Sequence, residues 1–338
     1  MSIERSAVRI QRACSGLTGL ESRWGGPAGT YSRLAVVLVA FSLALIAGSA
    51  CRRAETPASR SFATPEDAVR ALIAAVSSEK VDDILQVFGP EGKELIDASD
   101  PASARRGREV FGAAAAERWS VTDTESGAKT LVVGNEDWPF PVPLVREAQG
   151  WRFDTAAGAE EIVTRRIGRN ELSVINACET YVSAQHLYAR DAHDGRPSGV
   201  YAASFRSDPG KHNGLYWPPG RGARRSPLGD LLAQAGDPRR LASSDQDRPA
   251  PFHGYYFRIL TAQGGSARGG AKNYVVNGEM TGGFALIAWP AQYDVTGVMT
   301  FIVSDDGVVR QKDLGTGTDG AARAISVYDP DGSWERAR

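Results

Sequence analysis

The sequence has 338 residues, of which 42% are hydrophobic and 23% are charged, and its formal net charge is −1. This length allows about two domains, and the balanced charge excludes an overall field that would attract nucleic acid. The three cysteines are too few for a framework of disulfide bonds. A short basic cluster at residues 105–108 is interpreted as a solvated surface.

The N-terminal part of the chain contains an uncharged, strongly apolar stretch at residues 34–50. Arg23 and Arg33 precede this stretch and small residues end it, which is the pattern of a secretory signal segment. It is short for a membrane span, which needs about 20 apolar residues. We therefore predict export from the cytoplasm, with residues 1–33 as an N-terminal extension and residues 51–61 as a polar linker.

Cys51 directly follows the small residues at the end of the apolar stretch. The sequence Gly48-Ser49-Ala50-Cys51 resembles the lipobox of bacterial lipoproteins, which implies a diacylglycerol group on Cys51. Gly48 departs from that motif, because its position usually carries Leu, Val or Ile. Two alternatives remain open, an uncleaved segment that anchors the chain as a single span and cleavage after Ala50 that releases a soluble protein.

The first folded unit is predicted over residues 62–162, and it begins with helices. Thr64 can cap a helix, and Pro65 fits the first helical position. A later helix is predicted at residues 109–119, which are rich in Ala. The period then changes, and residues 143–154 have the pattern of a β-hairpin. Helices followed by antiparallel strands predict an α+β domain.

Three aromatic residues of this unit, Trp138, Phe140 and Trp151, are candidates to line a ligand pocket. The alternative is that they form the hydrophobic core of the unit. The neighbouring carboxylates of Glu136 and Asp137 suggest acid–base chemistry, which needs a carboxyl held in a dry site. Adjacent residues on a strand point to opposite faces, however, so the pair does not by itself predict a catalytic site.

The second folded unit is predicted over residues 163–325, and residues 326–338 are expected to form a C-terminal tail. Residues 281–314 are rich in aromatic and β-branched residues with Gly, Asp and Pro between them, which predicts an antiparallel meander. A long helix is predicted at residues 166–189, and its apolar side is expected to cover that sheet. The apolar stripe of this helix is assigned to Ile167, Leu172, Ile175, Cys178, Val182 and Ala189.

Six motifs can be compared with known families: NEDWPFPVPLV, GWRFDTAAG, RRIGRNEL, GYYFRIL, GFALIAWPAQY and GVMTFIVSDDGVVRQKDLG. Together they resemble an uncharacterised bacterial family, domain of unknown function 2950, over most of the chain from about residue 64 to residue 314. The resemblance implies no established activity.

Two further resemblances concern the fold. The helices and the closing hairpin PVPLVREAQGWRFDT resemble the nuclear-transport-factor-2-like superfamily, which implies a cone-like first domain. The second half is similar to the globular domains of type IV pilin-like proteins, through Asn176-Ala177, Thr180-Tyr181 and Gly254-Tyr255-Tyr256-Phe257. A pilin carries its hydrophobic segment on the same helix, whereas here a whole domain intervenes, so only the pilin-like fold is implied.

No motif for a metal or a cofactor is found, and none is predicted. His186 and His193 lie seven residues apart, whereas zinc sites need three or four convergent ligands. We expect a non-enzymatic, envelope-anchored accessory or binding protein, held at the membrane by its N-terminal anchor, with an envelope protein as partner and no nucleic acid. The expected location is the cell envelope, facing the periplasm or the exterior, and the alternative is a secreted soluble protein. The alternative function is a hydrolase or ligand-processing enzyme that uses the aromatic pocket.

Overall fold

The structure is a computed structural model, and the residues that it describes are 60–97, 101–219, 225–229 and 251–337. All of these residues belong to one compact unit. The predicted signal or anchor segment, Cys51 and most of the predicted linker lie outside the described residues. None of the described helices is both long and apolar enough to cross a membrane.

The first part of the described chain consists of helices followed by a sheet. The helices are α1 (Pro65–Ser77), α2 (Val81–Phe88), α3 (Gly92–Asp97) and α4 (Pro101–Glu117). The strands are β1 (Trp119–Asp123), β2 (Lys129–Val133), β3 (Trp138–Pro139), β4 (Leu144–Glu147) and β5 (Gly150–Phe153). They pair in the order β1-β2-β4-β5, with β3 also paired to β2, and every pairing is antiparallel. The helix predicted at residues 109–119 is the second half of α4.

Local signals explain how this part begins and closes. The Thr64 side chain accepts a hydrogen bond from the backbone N–H of Asp67 at 3.1 Å, so the predicted helix cap is present. At the sheet edge, Phe62 and Trp151 exchange two backbone hydrogen bonds of 2.8 Å. Gly150 permits this close approach, because its φ is +131° and a Cβ there would collide with the carbonyl of Phe62.

A single helix, α5 (Thr155–Ala189), links the two parts of the fold. It has 35 residues and starts at Asp154, whose side chain accepts a hydrogen bond from the N–H of Ala157 at 3.3 Å. The helix therefore begins well before the predicted residue 166, and the predicted domain boundary after residue 162 falls inside it. The missed segment contains Ala, Gly and Glu without an apolar stripe, so its periodicity gave no helical signal.

The buried face of α5 differs from the predicted stripe. Leu172 was assigned to that stripe, but it is 64% exposed. The buried face instead carries Val174, Ala177 and Tyr181. Val174 and Tyr181 pack in the core of the second part. Cys178 is fully buried as predicted, and this burial raises the pKa of its thiol.

The described residues of the second part form a five-stranded sheet, two small two-stranded ladders and one helix after the fourth strand of that sheet in chain order. The strands in chain order are β6 (Tyr255–Leu260), β7 (Ala262–Gln263), β8 (Lys272–Asn273), β9 (Val275–Val276), β10 (Glu279–Met280), β11 (Ala285–Pro290), β12 (Met299–Ser304), β13 (Arg310–Asp313) and β14 (Glu335–Arg336). A 3₁₀ turn (Gly315–Gly317) leads into helix α6 (Thr318–Ala324). The large sheet has the order β14-β13-β12-β11-β6, and all its pairings are antiparallel.

This sheet lies between α5 on one face and α6 on the other. Tyr181 of α5 donates a hydrogen bond to the carbonyl of Ala285 at 3.2 Å. On the opposite face, the indole N–H of Trp289 donates to Asp319 of α6 at 3.0 Å. Strand β11 is buried at every position, as expected for a strand covered on both faces. The predicted α+β class, the antiparallel meander and its covering helix are all present.

The predicted C-terminal tail is part of this fold. Strand β14 pairs with β13, and Tyr328 is buried against the sheet. Residues 326–337, expected as part of a tail, thus contribute β14, a two-residue strand of charged residues that gives no hydrophobic period in the sequence.

Candidate functional site

A cavity of about 260 Å³ opens between the helices of the first part and its sheet. Helices α1, α2, α3 and α4 contribute to its wall, together with α5 and the segment that follows β3. The wall is mainly hydrocarbon and aromatic, and it includes Leu72, Ile84, Phe88, Phe111, Phe140 and Val142. Such a lining is typical of sites for small apolar molecules.

Phe140 links this cavity to the core. Its backbone N–H donates to the carbonyl of Leu131 at 2.7 Å, which continues the pairing of β3 with β2. Its ring lies 5.2 Å from that of Phe111, 6.2 Å from that of Phe153 and 6.4 Å from that of Phe88. Phe140 therefore lines the cavity and also packs in the core of the first part, and its role in ligand binding stays a prediction.

Trp138 lies at the mouth of the cavity and is 45% exposed. Its ring meets that of Phe140 edge-on, with 6.2 Å between centroids. Arg165 of α5 holds this strand in place, because its guanidinium donates to the carbonyl of Pro139 at 2.6 Å and lies 5.8 Å from the Trp138 ring. Glu161 in turn accepts from Arg165 at 2.8 Å. The first turns of α5 thus position the aromatic mouth.

The third predicted pocket residue, Trp151, lies outside the wall of this cavity. It packs against the core of the first part, and its backbone pairs with Phe62. The ammonium of Lys129 lies 5.7 Å from its ring. The structure therefore brings Trp138 and Phe140 together at one site and places Trp151 elsewhere in the same sheet.

The carboxylate pair also lies away from the cavity wall. Glu136 and Asp137 are both exposed, and Asp137 forms an ion pair with Arg118. The backbone of Asp137 has a φ of +51°, as expected in the tight turn between β2 and β3. Neither carboxyl occupies the dry environment that acid–base catalysis requires.

Sequence reasoning missed Arg108, which lines the cavity from α4. It was grouped with its neighbours as a solvated cluster, and Arg105 and Arg106 are indeed exposed. Arg108 is only partly exposed. It lies four residues after Ala104 and three residues before Phe111, so all three share one face of the helix. That spacing was the available signal.

The comparisons with known proteins identify the family. The family described as Protein of unknown function (DUF2950) matches residues 59–337. The chain belongs to this family. A search of curated proteins found no match, and neither did a search of solved structures. The resemblances to the nuclear-transport-factor-2-like superfamily and to type IV pilin-like proteins are not confirmed.

Two DUF2950 motifs of this chain meet at the cavity or beside it. NEDWPFPVPLV supplies the mouth and wall residues Trp138, Phe140 and Val142. GWRFDTAAG begins α5, where Gly158 packs so closely on Val142 that a Cβ would come within 2.7 Å of a methyl carbon. The motif residues therefore build the wall and the helix that closes it.

His186 and His193, the two histidines that lie seven residues apart in this DUF2950 protein, are placed in separate surroundings. His186 is exposed on α5, with its ring 5.3 Å from that of Phe284. His193 is buried beyond the end of α5, stacked on Tyr188 with 4.1 Å between ring centroids. Within the described ranges, no group of three or more His, Cys, Asp or Glu residues could hold a metal ion.

A second depression, of about 600 Å³, lies beside β12 and β13 and has a polar wall. Arg268, Lys272 and Asp305 contribute to it with charges of both signs. Arg310 in the same wall is held by Asp306 at 2.9 Å and by the hydroxyl of Tyr328 at 2.5 Å. Because its charges are mixed and partly neutralised within the protein, this depression favours no single ligand chemistry. The apolar cavity is the better candidate site.

Proposed function

We propose that this DUF2950 protein is a non-catalytic binding protein of the cell envelope that holds a small, largely apolar molecule between α4, α5 and the first sheet. The observation that carries the proposal is the apolar cavity with Trp138 at its mouth and Phe140 in its wall. Both aromatic side chains are held by the surrounding structure, so the site exists before any ligand arrives. A preformed site reduces the ordering cost of binding.

The size of the cavity sets the size of the ligand and its affinity. Its volume of about 260 Å³ exceeds the ~150 Å³ of an engineered apolar cavity that takes up benzene. Burying roughly 200 Å² of apolar ligand surface at about 25 cal/mol per Å² contributes on the order of 5 kcal/mol. If all of that free energy appeared as binding, the dissociation constant would be about 0.2 mM. The translational and rotational freedom that the ligand loses makes this an upper limit on the affinity from apolar burial alone.

The composition of the wall favours binding over hydrolysis. General acid–base catalysis needs a carboxyl, imidazole or similar group within reach of the bound molecule. The residues of the described wall are apolar or aromatic apart from glycine, proline and Arg108. The alternative is a hydrolase that uses this pocket, and it predicts that a bound ester is consumed. Measuring ester turnover therefore distinguishes hydrolysis from simple binding.

The envelope location rests on the sequence alone. The apolar stretch at residues 34–50 supports export, and Cys51 after small residues supports a lipid anchor, with a span or release as alternatives. Such an anchor places the cavity where an envelope protein can present or receive its ligand. Cys51→Ala is expected to move the protein from the membrane fraction to the soluble fraction, and unchanged membrane retention would instead support a span.

The binding proposal is tested by a thermal-shift screen of small apolar and aromatic compounds on the full chain in lipid nanodiscs. At least one compound should raise the melting temperature, and Trp138→Ala should abolish that shift. Trp151→Ala is the matched control, because this indole lies outside the cavity wall. Without compound this variant should melt at a lower temperature than wild type, and the compound should still raise its melting temperature. Equal shifts for wild type and Trp138→Ala, or consumption of the compound during incubation, would overturn the proposal.

A further inference from the structure

Arg108 is an unusual member of the cavity wall. It is the one charged residue in the described wall, and the surrounding lining is hydrocarbon and aromatic. It is only partly exposed, on the same face of α4 as Phe111. No hydrogen-bond or ion-pair partner for its guanidinium is found among the residues that the structure describes. The described apolar wall around this cation supplies no counter-charge.

Other arginines of the same region show the contrast. Arg165 pairs with a carboxylate at 2.8 Å, Arg105 pairs with another at 3.5 Å, and Arg118 forms a close ion pair. Arg106 is exposed, so water can hydrate its guanidinium. Arg108 combines partial burial, an apolar neighbourhood and a guanidinium without a partner in the described part of the chain, and this combination points to a partner from outside the chain.

We infer that the molecule bound in this cavity carries a carboxylate, which pairs with Arg108 while the apolar body fills the space lined by Phe111 and Phe140. The inference rests on the proposed binding function and narrows its ligand to a small amphiphilic monocarboxylate. The planar guanidinium presents paired N–H donors that match the two oxygens of a carboxylate. The low polarity of the wall strengthens this pairing relative to the same pair in water.

The test compares acids with neutral molecules of the same shape. Isothermal titration calorimetry is carried out on the full chain in lipid nanodiscs, with empty nanodiscs subtracted. The probes are 4-butylbenzoate against 4-butylbenzamide and octanoate against octanamide, so that an aromatic and an aliphatic body are both sampled. The acid of at least one pair should bind about tenfold more tightly than its amide, a difference of about 1.4 kcal/mol.

Variants of α4 locate the source of that preference. Arg108→Gln should remove the acid preference, whereas Arg106→Gln, two residues earlier and exposed, should retain the wild-type preference. Arg108→Lys should keep a reduced preference, because the charge remains without the planar fork. Raising the salt concentration on wild type should shrink the preference as well, which tests the charge without any substitution.

The outcomes separate the two proposals. Equal binding of acid and amide by wild type would overturn the carboxylate inference and leave the binding function standing. Binding of neither probe of either pair, together with a negative thermal-shift screen, would overturn the binding function itself. If Arg108→Gln still preferred the acid, another residue would have to bind the carboxylate of the ligand, and the inference would also be overturned.

Discussion

The Oε1 atom of Glu171 on α5 accepts the backbone N–H of Met299 at 2.9 Å, and it accepts that of Val298 at the same distance. The hydroxyl of Tyr255 lies 3.3 Å from the same atom and donates to the carbonyl of Met299 at 3.0 Å. Burial and the nearby Glu171 charge raise the pKa of this hydroxyl, so it stays a neutral donor. Gly297 completes the contact, because a Cβ there would fall on the Tyr255 hydroxyl. One helical side chain thus fixes the start of β12.

Glu171→Ala is expected to lower the free energy of unfolding by about 2 kcal/mol, because two partly buried backbone donors lose their acceptor. Urea unfolding followed by circular dichroism measures the change. Leu172→Ala is the matched control on the same helix, and it should change stability by less than about 0.5 kcal/mol because this residue is mostly exposed. A larger cost for Leu172→Ala than for Glu171→Ala would mean that the predicted stripe, rather than the observed face, packs on the sheet.

The two cavity aromatics should separate in their effects on stability. Phe140→Ala should cost about 3 kcal/mol, because the ring contacts three phenylalanines of the core. Trp138→Ala should cost about 1 kcal/mol or less, since it loses an exposed contact with Arg165. Chemical denaturation of both variants checks this order. Comparable losses would show that Trp138 is a structural residue and would weaken its assignment to the cavity mouth.

Asp319 gives the fold a dependence on acid pH. Its hydrogen bonds from Arg323 and from the Trp289 indole hold the pKa of this carboxyl below its ordinary value. A lowered pKa in the folded state means that the stabilisation is present above the unfolded value and is lost as pH falls through the folded value. The stability difference between wild type and Asp319→Asn should therefore be constant from about pH 7 to pH 5 and disappear at lower pH. A difference that grew as the pH fell would contradict this assignment.

The continuity of α5 can be tested by proteolysis. Trypsin cleaves after Arg165, Arg166 and Arg169 only when the chain is locally extended, and all three lie within the helix. We expect no early cleavage at these positions in the native protein and rapid cleavage in urea. Mass spectrometry of timed digests identifies the sites. Early native cleavage there would favour two independent domains joined by a linker, as the sequence boundary after residue 162 suggested.

The second sheet was predictable because several local signals agree. The meander predicted over residues 281–314 contains β11 (Ala285–Pro290) and β12 (Met299–Ser304). Its aromatic and β-branched residues form the strands, and the Asp and Gly residues between them form turns, as at Gly307 with a φ of +69°. When composition, spacing and turn chemistry point to the same structure, the sequence is a sufficient guide.

The candidate site was only half predictable, for a physical reason. Aromatic composition drew attention to Trp138, Phe140 and Trp151, but the sequence could not show which of them face the same space. Arg108 was hidden in a basic cluster, and its distinction from Arg106 appears only when α4 is packed against the sheet. A cavity is a property of several elements at once, whereas periodicity describes one element at a time.

Helix α5 is about 52 Å long at a rise of 1.5 Å per residue, and it is shared by both halves of the fold. Arg165 donates a hydrogen bond to β3 next to Trp138, and Glu171 accepts one from the start of β12. These two residues are about 9 Å apart along the helix axis. One continuous helix therefore carries both the residue that holds β3 beside the cavity and the residue that holds the start of β12, so the cavity mouth and the second sheet share a single structural element.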